Sequence, residues 1–304
     1  MTIQHADRSA FVDPEQLIYE AEAMYETGVP RGSLTGWPAL DKHYTVMPGQ
    51  WTVITGVPGS GKSEFLDALM VNLMRTGEWE FAVYSPENYP VSAHLIKLVE
   101  KHLGKPFNPG LTPRMTVQEF RAASIELCKL MMWLQPALKT PTELIEAGLY
   151  YGTGKKLGIV LDPWNTLEHQ RGSMSETDYI SFTLTEVTKL ARAFNAHIWL
   201  VVHPTKIPRN KDGTRPVVTP YDISGSAHWF NKADNIITVH RDVAVDTQDV
   251  DIYVQKIRSK FVGCPGLVTL KYDRATGRYF EAGQGQVIID PFTKKPERYA
   301  LPQG

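Results

Sequence analysis

Cysteine is nearly absent from this sequence, with two in 304 residues. Cys128 and Cys264 lie far apart, and neither has a cysteine or histidine at metal-ligand spacing. That pattern argues against a disulfide scaffold and against a zinc site. Long hydrophobic runs are missing as well. No stretch approaches the length that spans a bilayer, and the N-terminus has no signal-peptide apolar core, so a cytosolic or equivalent compartment without membrane contact is expected. A dominant charge sign is also lacking: the net charge of −1 and pI near 6.8 exclude a globally basic, histone-like binder. A local basic loop would still suffice to grip phosphates. No internal repeat and no low-complexity segment is found. The remaining composition, 42% apolar and 21% charged, is enough to bury a substantial core in one large domain or two small ones.

Against this ordinary background, Gly56-Val57-Pro58-Gly59-Ser60-Gly61-Lys62-Ser63 fills every position of the Walker A pattern G-x-x-x-x-G-K-S/T. Trp51–Thr55 before it reads as a buried β-branched strand, and Glu64–Met74 after it carries apolar residues at helical spacing. A strand, a glycine loop and a helix start together make an anion nest. The glycines (Gly56, Gly59, Gly61), with Pro58 and Ser60 between them, let backbone N–H groups turn onto phosphate oxygens, and the helix dipole favours negative charge. Lys62 would reach the β- and γ-phosphates, and the Ser63 hydroxyl would ligate Mg²⁺. A nucleoside triphosphate, ATP or another, is the expected ligand.

The rest of the chain alternates. Strands are predicted at 81–84, 157–161, 197–202 and 235–239, with helices around 91–103, 116–132 and 176–194, a pattern of parallel sheet covered on both faces. The segments 250–256, 267–272 and 278–282 read as strands between Gly and Pro turns, an antiparallel extension. Near the start, Asp13-Pro14-Glu15 opens a helix that runs to about Met24 or Tyr25 and is stopped by Gly28. Its stripe of Leu17, Ala21, Met24 and Tyr25 needs a partner, either the chain's own core or a neighbouring subunit. The expected division is a tail and linker helix over 1–30, an α/β motor domain over 31–290 and a C-terminal tail over 291–304.

Leu157–Leu161 followed by Asp162 fits a Walker B strand, whose acid would hold Mg²⁺ through water or bond Ser63. Position 163 is Pro, where many ATPases carry the acid that activates water. Glu87, just past strand 81–84, is the candidate replacement: a carboxylate there could orient a water as general base. His203, at the end of strand 197–202, points at the nucleotide edge and could report the γ-phosphate. The following loop carries Lys206, Arg209, Lys211 and Arg215, and the small residues Ser224, Gly225 and Ser226 come next. This is either a solvated surface loop or one that tracks a sugar-phosphate chain. Lys256, Arg258 and Lys260 alternate on an extended segment, a basic edge in a monomer and a possible arginine finger in a ring.

The order of these pieces resembles the RecA-like motor domain of ring-forming replicative helicases, most closely the phage primase-helicase and Twinkle group and more distantly the DnaB type. The resemblance covers residues 14 to 282. It rests on the linker helix followed by Thr35–Asp41, the Walker A loop, Glu87, Asp162, His203, the stretch Ser224–Asn235 and the segment Lys256–Gly266. It implies a mainly parallel RecA-like P-loop core that translocates on single-stranded DNA, as a homo-hexamer working with primase and other replication proteins. Lys62 and Ser63 would bind the triphosphate and Mg²⁺. Glu87 would be the base, Asp162 the Walker B acid, and His203 the sensor coupled to the DNA loop. Arg241 and Tyr272 fall where this family sandwiches the nucleobase, and both present planar faces. The location implied is the cytoplasm of a bacterial or phage-infected cell, or a mitochondrial matrix.

The sequence departs from the pattern in places. Ser224 stands where the DNA loop often has a cation. The finger's usual order of Lys, one residue, then Arg leaves Lys256/Arg258 or, in another register, Arg258/Lys260, and Arg258 is common to both. No primase-like or zinc-binding part precedes the motor in these residues. Two other readings share the Walker core: a RecA-type recombinase or mediator forming filaments on DNA, and a nucleotide-gated scaffold with a degenerate site, to which Pro163 lends weight.

Overall fold

The computed structural model of the chain describes residues 12–134, 140–211, 213–242, 247–281, 287–289 and 296–298. Nine strands form one sheet in the order β3-β2-β4-β5-β1-β6-β7-β8-β9. The strands are β1 (Trp51–Thr55), β2 (Trp79–Tyr84), β3 (Met131–Trp133), β4 (Lys156–Leu161), β5 (His197–Val202), β6 (Asn235–His240), β7 (Asp249–Ile257), β8 (Gly266–Tyr272) and β9 (Tyr279–Glu281). All pairings from β3 to β6 are parallel, and those from β6 to β9 are antiparallel. The expected parallel core with an antiparallel extension is therefore present. A separate two-stranded hairpin pairs β10 (Val287–Ile289) with β11 (Pro296–Arg298). The rest of the expected tail, 291–304, and residues 1–11 lie outside the described residues, as does residue 282 at the end of the last predicted core strand.

Successive residues of the central strands alternate between two cores, as a pleated strand requires. Ile54, Val160 and Val201 pack on one face against α3 (Lys62–Arg75), α4 (Val91–Leu103) and α5 (Val117–Cys128). Val53, Ile159 and Leu200 pack on the other against α6 (Pro141–Tyr150), α7 (Glu176–Ala193) and α8 (Ser226–Lys232). Burial on both faces explains why these strands read as unbroken apolar runs.

Two elements differ from expectation. The helix predicted over 116–132 ends at Cys128, and Met131–Trp133 becomes an edge strand. Residues with no strong strand preference are recruited by β2, whose Phe81 N–H donates to Leu130 O at 2.7 Å while Leu134 N–H donates to Val83 O at 2.8 Å. Tertiary pairing outweighs local propensity there. Helix α6 was not foreseen, although Thr140 and Glu143 form a complete capping box at its start.

The N-terminal helix α1 (Pro14–Thr27) forms as predicted, with Asp13 as its cap and Gly28 at its end. None of its residues is buried, and Leu17, Ile18 and Tyr25 are 56%, 59% and 92% exposed. Its apolar stripe does not dock on the chain's own core. Among the described residues no helix is long and apolar enough to cross a membrane.

Beneath β1 a polar knot is buried in the core. His197 Nδ1–H donates to Met47 O at 2.7 Å, so Nε2 is left to accept from Thr52 Oγ1 at 2.9 Å or Tyr44 OH at 3.3 Å. Burial pushes the His197 pKa down from 6.5 to about 4. Between those values the unfolded chain binds a proton that the folded chain refuses, so stability falls as pH drops from 6.5 to 4 and is unaffected by this group above 6.5. The shift corresponds to about 3 kcal/mol in full. Urea unfolding at pH 7.5 and 4.5 should show wild type losing about 2–3 kcal/mol more than His197→Gln over that interval. Equal losses would assign the acid sensitivity to other groups.

Candidate active site

Because β1, β2, β4, β5 and β6 run parallel, their carboxyl ends lie along one edge of the sheet, where ligands of such sheets bind. β8 runs the same way as β6, so Tyr272 ends at that edge, and β9 begins there with Tyr279. A cleft of about 480 Å³ opens along it, lined by the Walker loop and by Glu87, His203, Arg241, Tyr272 and Tyr279. The nucleotide, base and sensor residues expected from the sequence are thus brought to one place.

The loop's shape needs its glycines. Gly61 caps α3 with φ +98°, in the left-handed region. At Gly56, φ is +150° and a Cβ would collide with the Val239 carbonyl of β6. Lys62 is 6% exposed and its ammonium donates to Gly56 O at 2.9 Å and Val57 O at 3.2 Å, folded back on the loop it would leave for a phosphate. Burial lowers its pKa, while Asp162 and Glu87 oppose that shift. Ser60 is fully buried and its Oγ has no hydrogen-bond partner among the described residues, an orphaned group inside the nest.

Asp162 is 4% exposed and bonded by the Ser63 hydroxyl. Burial raises its pKa to about 6, with the negative charges of Asp67 and Glu87 adding and Lys62 subtracting. A buried carboxyl pushed up in this way is short of positive charge. Ser63 and Asp162 are hard oxygen donors, and two protein ligands suit Mg²⁺, which keeps waters and takes its other ligands from phosphates. Among the described residues no cluster of three or more His, Cys, Asp or Glu competes for a metal.

Glu87 is exposed, and among the described residues it makes no hydrogen bond or ion pair. Its charge is nonetheless felt by Lys62, Asp162 and His203, which sets it over the cleft. The His203 backbone N–H donates to Asn165 Oδ1 at 2.9 Å, and burial, then Lys62, lowers the imidazole pKa. His203 also lines a second cavity of about 170 Å³, shared with Asn165, His169, Ser224 and Trp229. One imidazole therefore faces both the nucleotide cleft and the segment that leads into Gly225 and Ser226, the start of α8. Arg241 Nη2 donates to Gly59 O at 3.0 Å, and the Tyr272 hydroxyl donates to Glu64 Oε2 at 3.4 Å. The sequence reading missed Tyr279, whose ring lies 5.1 Å from that of Tyr272 and whose hydroxyl donates to Gly61 O at 3.4 Å. Its signal was weak, one tyrosine in a short terminal strand.

The basic residues sort into two regions. Lys206, Arg209 and Arg215 line a hollow of about 370 Å³ against Val57 and Pro58 of the Walker loop, and Lys211 is exposed nearby in sequence. Lys256 and Arg258 lie at the opposite, amino edge, because β7 runs antiparallel and its end pairs with Asn235 and Ile236. A six-residue strand separates the edges by roughly 20 Å, so these cations are far from their own cleft. Arg258 Nη2 donates to the carbonyls of Asn231, Lys232 and Ala233 at 2.8, 2.9 and 3.1 Å, and its Nε pairs with Asp234 at 3.0 Å. It caps the last carbonyls of α8. Lys256 donates to Phe230 O, and its burial, with Arg258 adding, brings its pKa down to about 8. Lys260 is exposed over the Phe261 ring.

The Gly56 contact generates a test. Gly56→Ala should destabilise the fold by about 1–3 kcal/mol and weaken binding of a fluorescent ATP analogue more than tenfold, measured by thermal unfolding and by titration. An unchanged melting temperature would mean that β6 has room to retreat.

No family model matches the sequence. The Twinkle homolog protein, chloroplastic/mitochondrial, of Arabidopsis thaliana is 37% identical over 309 residues, an alignment spanning 95% of this chain and 41% of that protein. The chain thus spans less than half the length of that relative. Among solved structures, the isolated ATPase domain of a DnaB-like helicase superposes with a TM-score of 0.75 at 17% identity, covering 88% of this chain and 98% of the other. A DnaB-like replicative helicase, from a study of its interactions with primase, gives 0.74 at 17% identity, covering 88% and 68%. The RadB recombinase gives 0.55 at 12% identity, covering 82% and 99%. At such identities the superpositions speak for the fold. The chain is a relative of the Twinkle homolog along nearly its whole length, and its fold is the RecA-like ATPase fold of DnaB-like helicases.

Proposed function

We propose that the chain is the motor of an ATP-dependent DNA helicase, translocating on single-stranded DNA as a homo-hexameric ring and hydrolysing ATP at subunit interfaces. The observation that carries this is the sharing of His203 between the nucleotide cleft and the cavity beside Ser224. In one protomer the Walker amides and Lys62 hold the triphosphate, and Ser63 and Asp162 hold Mg²⁺, which would neutralise charge on the phosphate oxygens. Glu87 accepts the proton of the attacking water. Its freedom from any hydrogen bond among the described residues leaves both carboxylate oxygens available for that task.

The trans contact comes from the far edge of the neighbouring protomer. Arg258 is our choice, because its Nη1 has no hydrogen-bond partner among the described residues while Nε and Nη2 are anchored on Asp234 and α8. Lys256 and Lys260 flank it. The exposed stripe of α1 supports docking on a neighbouring copy. Lys206, Arg209, Lys211 and Arg215, with Gly225 and Ser226, are the proposed DNA contacts, so that DNA phosphates would be felt beside Val57 and Pro58. A filament-forming recombinase is the second reading, supported by the likeness in fold to RadB. Electron microscopy of the assembly on DNA separates ring from filament.

ATP turnover with and without single-stranded DNA, with mass followed by light scattering, tests the motor reading. Glu87→Gln should lose 10²- to 10⁴-fold in turnover and keep nucleotide binding, roughly the worth of a positioned general base. Arg258→Ala should abolish DNA-stimulated turnover in a multimer of unchanged mass. Because that change also removes the α8 cap, its melting temperature is measured alongside. Turnover indifferent to DNA, Glu87 and Arg258 would defeat the reading.

A further inference from the structure

Glu87 has no side-chain bond among the described residues that fixes it, so its position depends on the turn that carries it. That turn, 85–88, is closed by the Asn88 N–H donating to Ser85 O at 3.1 Å. A directed chain of hydrogen bonds runs beneath it. Lys97 Nζ on α4 donates to Asn88 Oδ1 at 3.0 Å, Asn88 Nδ2 donates to Ser85 Oγ at 2.9 Å, and Ser85 Oγ donates to Asp162 Oδ2 at 3.3 Å. Every donor is used in the same sense, which fixes the Asn88 amide in one orientation. The turn bearing Glu87 is thus held at one end by the Walker B acid and at the other by a lysine ammonium outside the nucleotide cleft.

Lys97 itself is anchored on the Walker helix, 2.5 Å from Glu64 Oε1 and 3.7 Å from Asp67 Oδ2. Burial alone would lower its pKa, but Asp67 and Glu64 outweigh it and keep the ammonium charged. The bland role for such a lysine is to clamp α4 on α3. That clamp is already made without it, by Lys101 on Glu64 at 2.5 Å and by His94 on Asp67 at 3.0 Å, both partners on α4 nearly fully buried. What Lys97 contributes beyond them is the bond to Asn88.

We propose that Lys97 is a positioning residue for hydrolysis: through Asn88 it ties the turn bearing Glu87 to the Walker helix, so that base and phosphate loop keep one geometry. This rests on the reading of Glu87 as the general base. Lys97 touches no substrate atom. Its loss lets the turn shift, and displacement of a base by about an ångström is costly because catalysis requires near-attack geometry. Binding of nucleotide, made by the loop, is spared.

The experiment is steady-state ATP hydrolysis by the full chain under the conditions that give maximal wild-type turnover, with a fluorescent nucleotide titration and a melting curve for each variant. Lys97→Met should lower kcat 10- to 100-fold and leave KM within threefold. Lys97→Arg, which keeps a charged donor, should recover to within fivefold of wild type. Asn88→Ala breaks the same link with the ammonium retained, so it should match Lys97→Met, and the double variant should be no worse than either. Should Lys97→Met fail to fold, Asn88→Ala and Lys97→Arg carry the test. A kcat within threefold of wild type in Asn88→Ala, alongside an inactive Glu87→Gln, would overturn the positioning role. Full turnover in Glu87→Gln would instead remove the underlying assignment of the base, and this proposal with it.

Discussion

Parallel pairing around β1 is the constraint on which the rest depends. With β5 and β6 on either side of β1 and all three running the same way, the Walker loop, His203 and Arg241 emerge at one edge without any further design. The same pairing carries Asp162 and the Glu87 turn to that edge from β4 and β2. A parallel sheet buries both of its faces, so the polar chemistry is confined to the strand ends, where backbone N–H groups and loop residues are unpaired. The antiparallel strands then finish the cleft with Tyr272 and Tyr279 and send Arg258 to the other edge.

Electrostatics at that edge are arranged around a deficit. Lys62 is buried on carbonyl oxygens of its own loop, and Asp162 is held partly protonated by burial and two neighbouring acids. Each group is uncomfortable alone, and an anionic phosphate with a divalent cation would relieve both. The neighbouring cluster of Glu64, Asp67, His94, Lys97 and Lys101 is by contrast mutually paired. It gives the strained site a stiff wall.

Much of this was legible in the sequence, for reasons that differ by residue. The Walker loop can be read because its chemistry is local: glycines, Lys62 and Ser63 must be contiguous. Asp162, His203 and Glu87 can be read because each directly or closely follows an apolar run, and parallel strands send such positions to a common edge. Helix α6 was equally local, with its capping box at Thr140 and Glu143, and went unread. Tyr279, Asn165, Ser85 and Lys97 could not be read, since each matters through a contact across the fold and carries no local signature. The edge strand β3 belongs to the same class, because Met131–Trp133 are extended only by what lies beside them.

The anchoring of Arg258 on α8 has a mechanical corollary. The helix is seven residues long, about 10 Å from end to end, and too short to absorb a displacement by bending. Its last carbonyls are gripped by Arg258, and its first turn begins at Gly225, packed on Ile180. Any tug on the guanidinium at the amino edge of the sheet is delivered to Gly225 as the swing of a rigid rod. Two ends of the molecule that sequence places more than thirty residues apart are joined as the two arms of one lever, with α7 as its fulcrum.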